Sequence, residues 1–249
     1  MNHAPTIRDE EWRYADSSVL EALAPNTFEA WRDIEVAPGE THRECIILED
    51  IEPSLTRIRA KIGEGARLEL FALNKAGDYT RVEIVTRVAS GGHFEFGGVT
   101  IGGGDAVREF VTRTDHSEPD ATSNQVVRAV HWGQATGNFL GRIDVGRDGQ
   151  RTDAAQDFKA LLLERGATVN TKPELEIFAD DVKCAHGAAI GQMDERARYY
   201  MATRGIAPDL AKKLLVRAFI ADAFAALDDD GEAGRMLEAA LDELDESAL

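Results

Sequence analysis

The sequence predicts a mainly β chain that ends in a helical unit, and three observations carry that prediction. From about Glu44 to Val182 apolar residues recur at every second position, the period of a strand with one buried face, while the helical period of 3.6 is almost absent. Small glycine-bearing corners separate these stretches: Gly63-Glu64-Gly65-Ala66, Ser90-Gly91-Gly92, Gly133-Gln134-Ala135-Thr136-Gly137 and Gly166-Ala167-Thr168. Beyond Gly191 the spacing changes to that of helices. The corners keep no strict period, and the Asp-Gly hairpin signal occurs only at Asp148-Gly149 and Asp230-Gly231, the second lying among the helices. Many strands with so few hairpin turns suit the coils of a β-solenoid, and a sandwich or a jelly roll fits the alternation nearly as well.

In chain order, residues 1–40 form an N-terminal helical and irregular segment, with a short helix from Asp16 to Ala24 broken by Pro25. The β core spans 41–191. Leu68, Leu70 and Ala72 share one strand face; Val82, Ile84 and Val88 share another, opposed by Arg81, Glu83 and Arg87. Leu175, Ile177 and Ala179 repeat the pattern against Glu174, Glu176 and Asp180, so these strands read as half-buried. The C-terminal unit, 192–249, holds three helices. Met193 to Arg204 is stopped by Gly205, and Pro208 opens the next helix where its missing N–H costs nothing. That second helix lines Leu210, Leu214, Ala218 and Ala221 on one face, widened by Leu215, Phe219 and Phe224. The third carries Met236, Leu237, Ala240, Leu241 and Leu244 on one stripe.

A chain of 249 residues with 43% hydrophobic content can bury a sizeable core. Its formal net charge of -17 repels nucleic acid phosphates and anionic membrane surfaces, which excludes both as expected partners. No stretch approaches the roughly 20 apolar residues that span a bilayer, and MNHAPTIRDEEWRY lacks a leader-type apolar run, so a cytoplasmic protein is expected. Two cysteines, Cys45 and Cys184, form no disulfide framework. The acidic tail residues Asp228, Asp229, Asp230, Asp242, Glu243, Asp245 and Glu246 read as solvated helix ends and faces.

Most chemical motifs dissolve on inspection. Gly97-Gly98 and Gly102-Gly103-Gly104 suggest a phosphate loop, but no Lys-Ser/Thr follows and no long helix begins there. Asp115-His116-Ser117 holds triad residue types as neighbours on an extended chain, where they point apart, and it reads as a polar turn before Pro119. His131, among Val126, Val127 and Val130, and His93, beside Phe94, read as satisfied core or rim histidines; Cys45, before Ile46-Ile47-Leu48, reads as a small apolar residue. With 45 acidic residues, a carboxylate pair for glycoside hydrolysis cannot be singled out. Cys184-x-His186 differs in kind. Two soft or borderline metal ligands two apart on an extended segment project from one face, yet two do not close a tetrahedral site. A buried thiol beside a capping histidine is the alternative. If metal binds, the missing ligands come from far along the chain or from another subunit.

Residues Thr171 to Gly191, TKPELEIFADDVKCAHGAAIG, resemble the signature of the SufB/SufD family of iron-sulfur assembly scaffolds, specifically its SufD branch. The likeness extends to Gln150-Arg151-Thr152-Asp153-Ala154-Ala155-Gln156, to Leu161-Leu162-Leu163 and to Arg198 through Ile206, and Asp9-Glu10-Glu11-Trp12-Arg13-Tyr14 is similar to the family's N-terminal motif. The resemblance implies a right-handed parallel β-helix with a short N-terminal helical segment and a C-terminal α-helical domain. It implies a non-catalytic scaffold subunit that pairs with a SufB-like subunit through the β-helices and docks a SufC ATPase through its C-terminal helices. His186 would help receive a nascent iron-sulfur cluster, transient and shared with SufB, which supplies the principal cysteine; Cys184 is the second candidate ligand. Tyr200, Arg204, Gly205, Ile206, Leu214, Leu215 and Phe219 would face SufC. The chain is shorter than the usual family member, and Ala185 and Ala189 stand where Ser and Thr are common. The chain lacks the glutamate that follows the corresponding histidine in SufB and any extra cysteine cluster, which favours the SufD branch. Two further readings are a SufD-like homodimer with a regulatory or storage role and a stand-alone β-helix carbohydrate-active enzyme, the latter resting on fold analogy alone.

Overall fold

The computed structural model describes residues 5–49, 52–75 and 77–247, with side chains as far as residue 244, so Asp245 and Glu246 of the acidic tail lie outside the described side chains. The strands are β1 (Arg32–Val36), β2 (Thr41–Leu48), β3 (Ser54–Ile62), β4 (Arg67–Asn74), β5 (Tyr79–Val88) and β6 (His93–Gly102). They continue as β7 (Val107–His116), β8 (Thr122–His131), β9 (Thr136–Val145), β10 (Asp153–Leu162), β11 (Thr168–Ile177) and β12 (Lys183–Gln192). Helix α1 (Ser17–Ala22) precedes them, and α2 (Glu195–Thr203), α3 (Pro208–Ala221) and α4 (Asp230–Ser247) follow. The first strand begins at Arg32, ahead of residue 41.

Odd-numbered strands form one six-stranded sheet and even-numbered strands a second, each in strictly sequential order. Every ladder within each sheet is parallel, such as Arg32↔Ile58 between β1 and β3 and Ala154↔Cys184 between β10 and β12. Sandwiches and jelly rolls are built from antiparallel pairs, so the ladders select a parallel β-solenoid of about five turns from the architectures that alternation leaves open. The climb per turn grows from 26 residues, as between Asp33 and Arg59, to 32 between Asn138 and Asn170. That drift is why the glycine corners keep no fixed period.

The core lies between the two sheets. Inward rows bring Leu68, Leu70 and Ala72 against Val82, Ile84 and Val88, with Phe94, Phe96, Phe110, Phe139 and Phe158 stacked along the axis. The Phe96 and Phe110 rings meet edge to face at 5.4 Å, and Phe139 stacks on Phe158 at 5.3 Å. Part of each outer face is buried too, and there the alternation misleads, although Arg87 is exposed as expected. Arg81 and Glu83, expected on a half-exposed face, are buried because the N-terminal segment lies over the odd-numbered sheet. Arg81 donates to the Glu11 carbonyl at 2.9 Å, and its guanidinium sits 3.7 Å above the Trp12 ring.

On the even-numbered sheet, Phe71, Leu73, Val99, Ile101 and Val130 face outward and are covered by Val216, Ile220, Phe224, Met236 and Leu237 of the helical unit. Close approaches explain two of the glycines that mimic a phosphate loop, the first of them at this contact. Gly97 lies inside β6, and a Cβ there would stand 1.9 Å from the Ala223 carbonyl oxygen; at Gly103 it would stand 1.8 Å from the Trp132 indole nitrogen. They are glycines because backbone and ring pass too closely for a side chain.

Local signals set the helix ends. The Asp16 carboxylate accepts from the backbone N–H groups of Ser18 and Val19, and Asp194 caps α2 through Arg196. Gly205 takes φ +75 after α2, and Pro208 is the first residue of α3. One expectation about α3 fails: Ala211, Val216 and Ile220 form its buried face, while Leu210, Leu214 and Ala218 point outward. The stripe read from α4 is buried at Met236, Leu237, Ala240 and Leu244, with Leu241 half-buried. No helix among the described residues is long and apolar enough to cross a membrane.

Candidate functional site

His93, His116, His131 and Cys45, away from the last turn, serve the core or its rim, whereas His42 is exposed on β2. His131 is fully buried, with its ring nitrogens 3.1 Å from Thr100 Oγ1 and 3.2 Å from the Gly102 carbonyl. His93 contacts Thr122 Oγ1 at 2.7 Å and Glu95 at 3.1 Å. The Asp115-His116-Ser117 segment corrects its reading as a turn. Asp115 and His116 end β7, and His116 is buried with Nε2 2.9 Å from Ser123 Oγ. Burial pushes the pKa of His116 down to about 4 and that of His131 down to about 3, so both are neutral in the folded chain near pH 7. Cys45 is half-buried against the cluster beneath the helices.

Cys184 and His186 lie on β12, the terminal strand of the even-numbered sheet, which pairs with β10 alone. Parallel register places Ala154 beneath Cys184, Gln156 beneath His186, Phe158 beneath Ala188 and Ala160 beneath Ile190. All four lower residues are buried inward-facing positions, so the β12 row continues the core row beyond the last closed turn. Cys184 is half-buried beside Ile143, Val145, Ala154 and Ala179. Burial pushes its thiol pKa up, against a hydrogen bond with the Ala154 backbone that lowers it, so the thiolate is disfavoured. His186 is exposed, and Ile190, farther along the same row, is 49% exposed. At the opposite end of the solenoid, Ile34 and Val36 of β1 are buried.

The structure thus brings both sequence-predicted ligands to one face of one open edge strand. Among the described residues no group of three or more His, Cys, Asp or Glu side chains converges to hold a metal ion. The pair offers at most part of a ligand set, on a surface with free main-chain N–H and C=O groups along its outer edge. Gln156 was not visible as a site residue in the sequence. Its only signal is a polar residue at an inward position between Ala154 and Phe158.

A second surface gathers the helical residues. Tyr200 and its neighbour Tyr199, the latter 73% exposed, project from α2, and the Arg204 guanidinium lies 5.1 Å from the Tyr200 ring centroid. Gly205 donates to the Ala202 carbonyl at 3.0 Å and Ile206 to that of Met201 at 3.2 Å, closing the turn into α3. Leu214 is exposed, whereas Leu215 and Phe219 are half-buried and Phe219 packs against the sheet cluster. Tyr199, Tyr200, Leu210 and Leu214 form the large apolar side chains left open on α2 and α3.

Comparison with known proteins matches residues 52–219 to a family described as SUF system FeS cluster assembly, SufBD core domain. The chain is 37% identical over 122 residues to the iron-sulfur cluster assembly protein SufD of Escherichia coli, a match covering 48% of this chain and 29% of that one. It is 47% identical over 87 residues to the chloroplastic protein ABCI7 of Arabidopsis thaliana, covering 35% and 18% of the two chains. A SufBD family protein of Synechocystis, slr0076, is 32% identical over 158 residues, covering 63% of this chain and 35% of its own. The matched segments span well under two thirds of these relatives.

Proposed function

The chain belongs to the SufBD core family of SUF-system iron-sulfur cluster assembly proteins, and from that premise we propose that it acts as a SufD-like scaffold subunit in a SufB-SufC-SufD complex. The observation that carries this reading is the position of the Cys184-Ala185-His186 motif on the open terminal strand of the solenoid. A SufB-like partner laid against β12 covers the exposed inward row, pairs the free main-chain edge and brings the ligands that the motif lacks. His186 is the ligand offered to the nascent cluster, which is cargo held transiently between the two chains. Cys184, half-buried with a raised thiol pKa, is the weaker donor.

The exposed side chains of Tyr200, Arg204 and Leu214, with the Gly205-Ile206 turn, support docking of a SufC-like ATPase on α2 and α3, and Leu215 and Phe219 support that surface from beneath. The chain itself is non-catalytic on this reading, and ATP hydrolysis belongs to SufC. Coexpression with SufB and SufC is expected to yield one complex in size-exclusion chromatography. His186→Ala is expected to lower cluster formation by that complex at unchanged assembly. Failure of the three chains to associate, or a wild-type yield of cluster from His186→Ala, overturns the proposal. A single species twice the chain mass that excludes SufB points instead to a homodimer.

A further inference from the structure

Gln156 is buried, 2% exposed, on the inward row of β10, where its neighbours Ala154, Phe158 and Ala160 are apolar. Neither its amide oxygen nor its amide nitrogen has a hydrogen-bond partner. A buried amide without partners is costly, and an apolar residue of similar size would avoid that cost. The fold nevertheless makes room for it. Gly141, on the facing sheet, is open where a Cβ would stand 2.7 Å from Gln156 Oε1.

The register gives this amide a direction. Gln125, Gln156 and His186 occupy one row on successive strands of the even-numbered sheet. Gln125 donates Nε2 to Thr114 Oγ1 at 3.2 Å and keeps its own Oε1 without a partner. Strands about 4.8 Å apart bring side chains of one row within hydrogen-bonding reach. In the present rotamer Gln156 Oε1 lies toward Gly141 and neither bond is made; turning the amide about its last torsion puts Nε2 toward Gln125 Oε1 and Oε1 toward the next side chain up, the imidazole of His186. A histidine offered to a metal ordinarily donates its other ring N–H to an acceptor, which fixes the tautomer and aims the lone pair.

We propose that Gln156 is the positioning residue for His186: its amide oxygen accepts one imidazole N–H and fixes the tautomer whose other nitrogen presents its lone pair to a soft or borderline cation. The inference deepens the reading of His186 as the ligand of the nascent cluster and rests on it. Its test does not depend on cluster formation. In the full chain with nitrogen-15-labelled histidine, His186 is expected to populate one tautomer predominantly above pH 7. The near-isosteric Gln156→Met is expected to shift the tautomer ratio about fivefold, the factor that one net hydrogen bond of about 1 kcal/mol supplies. Gln156→Glu, which keeps an acceptor oxygen, is expected to hold the wild-type tautomer. In the complex, Gln156→Met should lower cluster formation in the direction of His186→Ala. A ratio unchanged in Gln156→Met overturns the inference, and so does an even tautomer mixture in the wild-type chain, which needs no variant. If His186→Ala leaves cluster formation intact, the proposed function fails while the tautomer measurement still judges Gln156.

Discussion

Gly97→Ala tests how the helical unit is held on the solenoid. The new Cβ would stand 1.9 Å from the Ala223 carbonyl oxygen, 2.7 Å from a Phe71 ring carbon and 3.1 Å from the Ala223 carbonyl carbon. The nearest obstacle is backbone, so no rotamer change relieves it. The turn at Asp222–Phe224 must back away by more than 1 Å, on the order of the deficit from ordinary van der Waals contact. That turn carries Phe224, whose ring meets Phe71 edge-on at 6.5 Å, and Asp222, which pairs with Arg128. Overpacking of this kind costs about 1–3 kcal/mol, and a backbone obstacle places the expected loss near the upper end. For a chain of this length, about 3 kcal/mol corresponds to a fall in Tm of roughly 6–12 °C. Thermal unfolding measures the fall, and amide exchange should quicken in α3 and α4 before the inner strands. Gly191→Ala is the control, because its Cβ meets nothing within 4 Å, and its effect should stay within about 0.5 kcal/mol. A Tm for Gly97→Ala within about 2 °C of wild type, with exchange in α3 and α4 unchanged, would refute the close-approach account of this glycine.

The remaining predictions concern charge. His116 and His131 have folded pKa values of about 4 and about 3, both below the unfolded value, because burial disfavours the imidazolium. Their stabilisation is complete above the unfolded pKa near 6.5 and is lost as pH falls toward the folded values, so at pH 5 each removes about 2 kcal/mol. Urea denaturation at pH 7 and pH 5 should show the loss, and equal stability at the two values contradicts neutral burial. Arg128 is fully buried beneath Asp157 and Asp222, whose side chains are 39% and 55% exposed. Arg128→Met lets both carboxylates return to water, so the expected cost is about 2 kcal/mol, below the 3–5 kcal/mol of a stranded buried charge. A double-mutant cycle with Asp222→Asn should show coupling, and purely additive losses contradict the clamp.

Strand positions were legible in the sequence because a two-residue period survives wherever one face is buried. Leu68, Leu70 and Ala72 lie inward as the alternation requires. What alternation cannot carry is the pairing partner, since parallel and antiparallel sheets share the same period, and only the ladders separate a solenoid from a sandwich. Polar residues on the outer faces misled for a related reason. Arg81 and Glu83 look solvated until Trp12, some seventy positions earlier, is folded over them. On α3, Leu210 and Leu214 satisfy a helical stripe as well as Val216 and Ile220 do, and only docking on the sheet decides which stripe is buried. Of the site, the Cys184-x-His186 pair was legible from ligand spacing. Gln156 was not, because a glutamine is conspicuous only after register places it directly beneath the histidine.

The two ends of the solenoid differ in a way that links partner binding to ligand presentation on the proposed function. Ile34 and Val36 on the inward row of β1 are buried and the β2 row opens on the polar His42 and Glu44, whereas Ile190, on the inward row of β12, is apolar and 49% exposed. An apolar row left open at a strand edge is an association surface by default, and soluble chains usually blunt such edges with charge, bulges or covering elements. Only Lys183, at its first position, gives β12 a charged side chain; the rest of the strand is Cys184, His186, Gln192 and small or apolar residues. A partner strand that covers Ile190 and Ala188 must also pass His186, two and four positions away on the same row. Docking and ligand presentation are then one geometric event. Replacing Ile190 by Lys should therefore weaken both together, by at least tenfold in partner affinity if its burial contributes about 1.5 kcal/mol, while leaving the Tm of the isolated chain unchanged. Loss of cluster formation with full retention of the partner after Ile190→Lys would separate the two events and defeat this coupling.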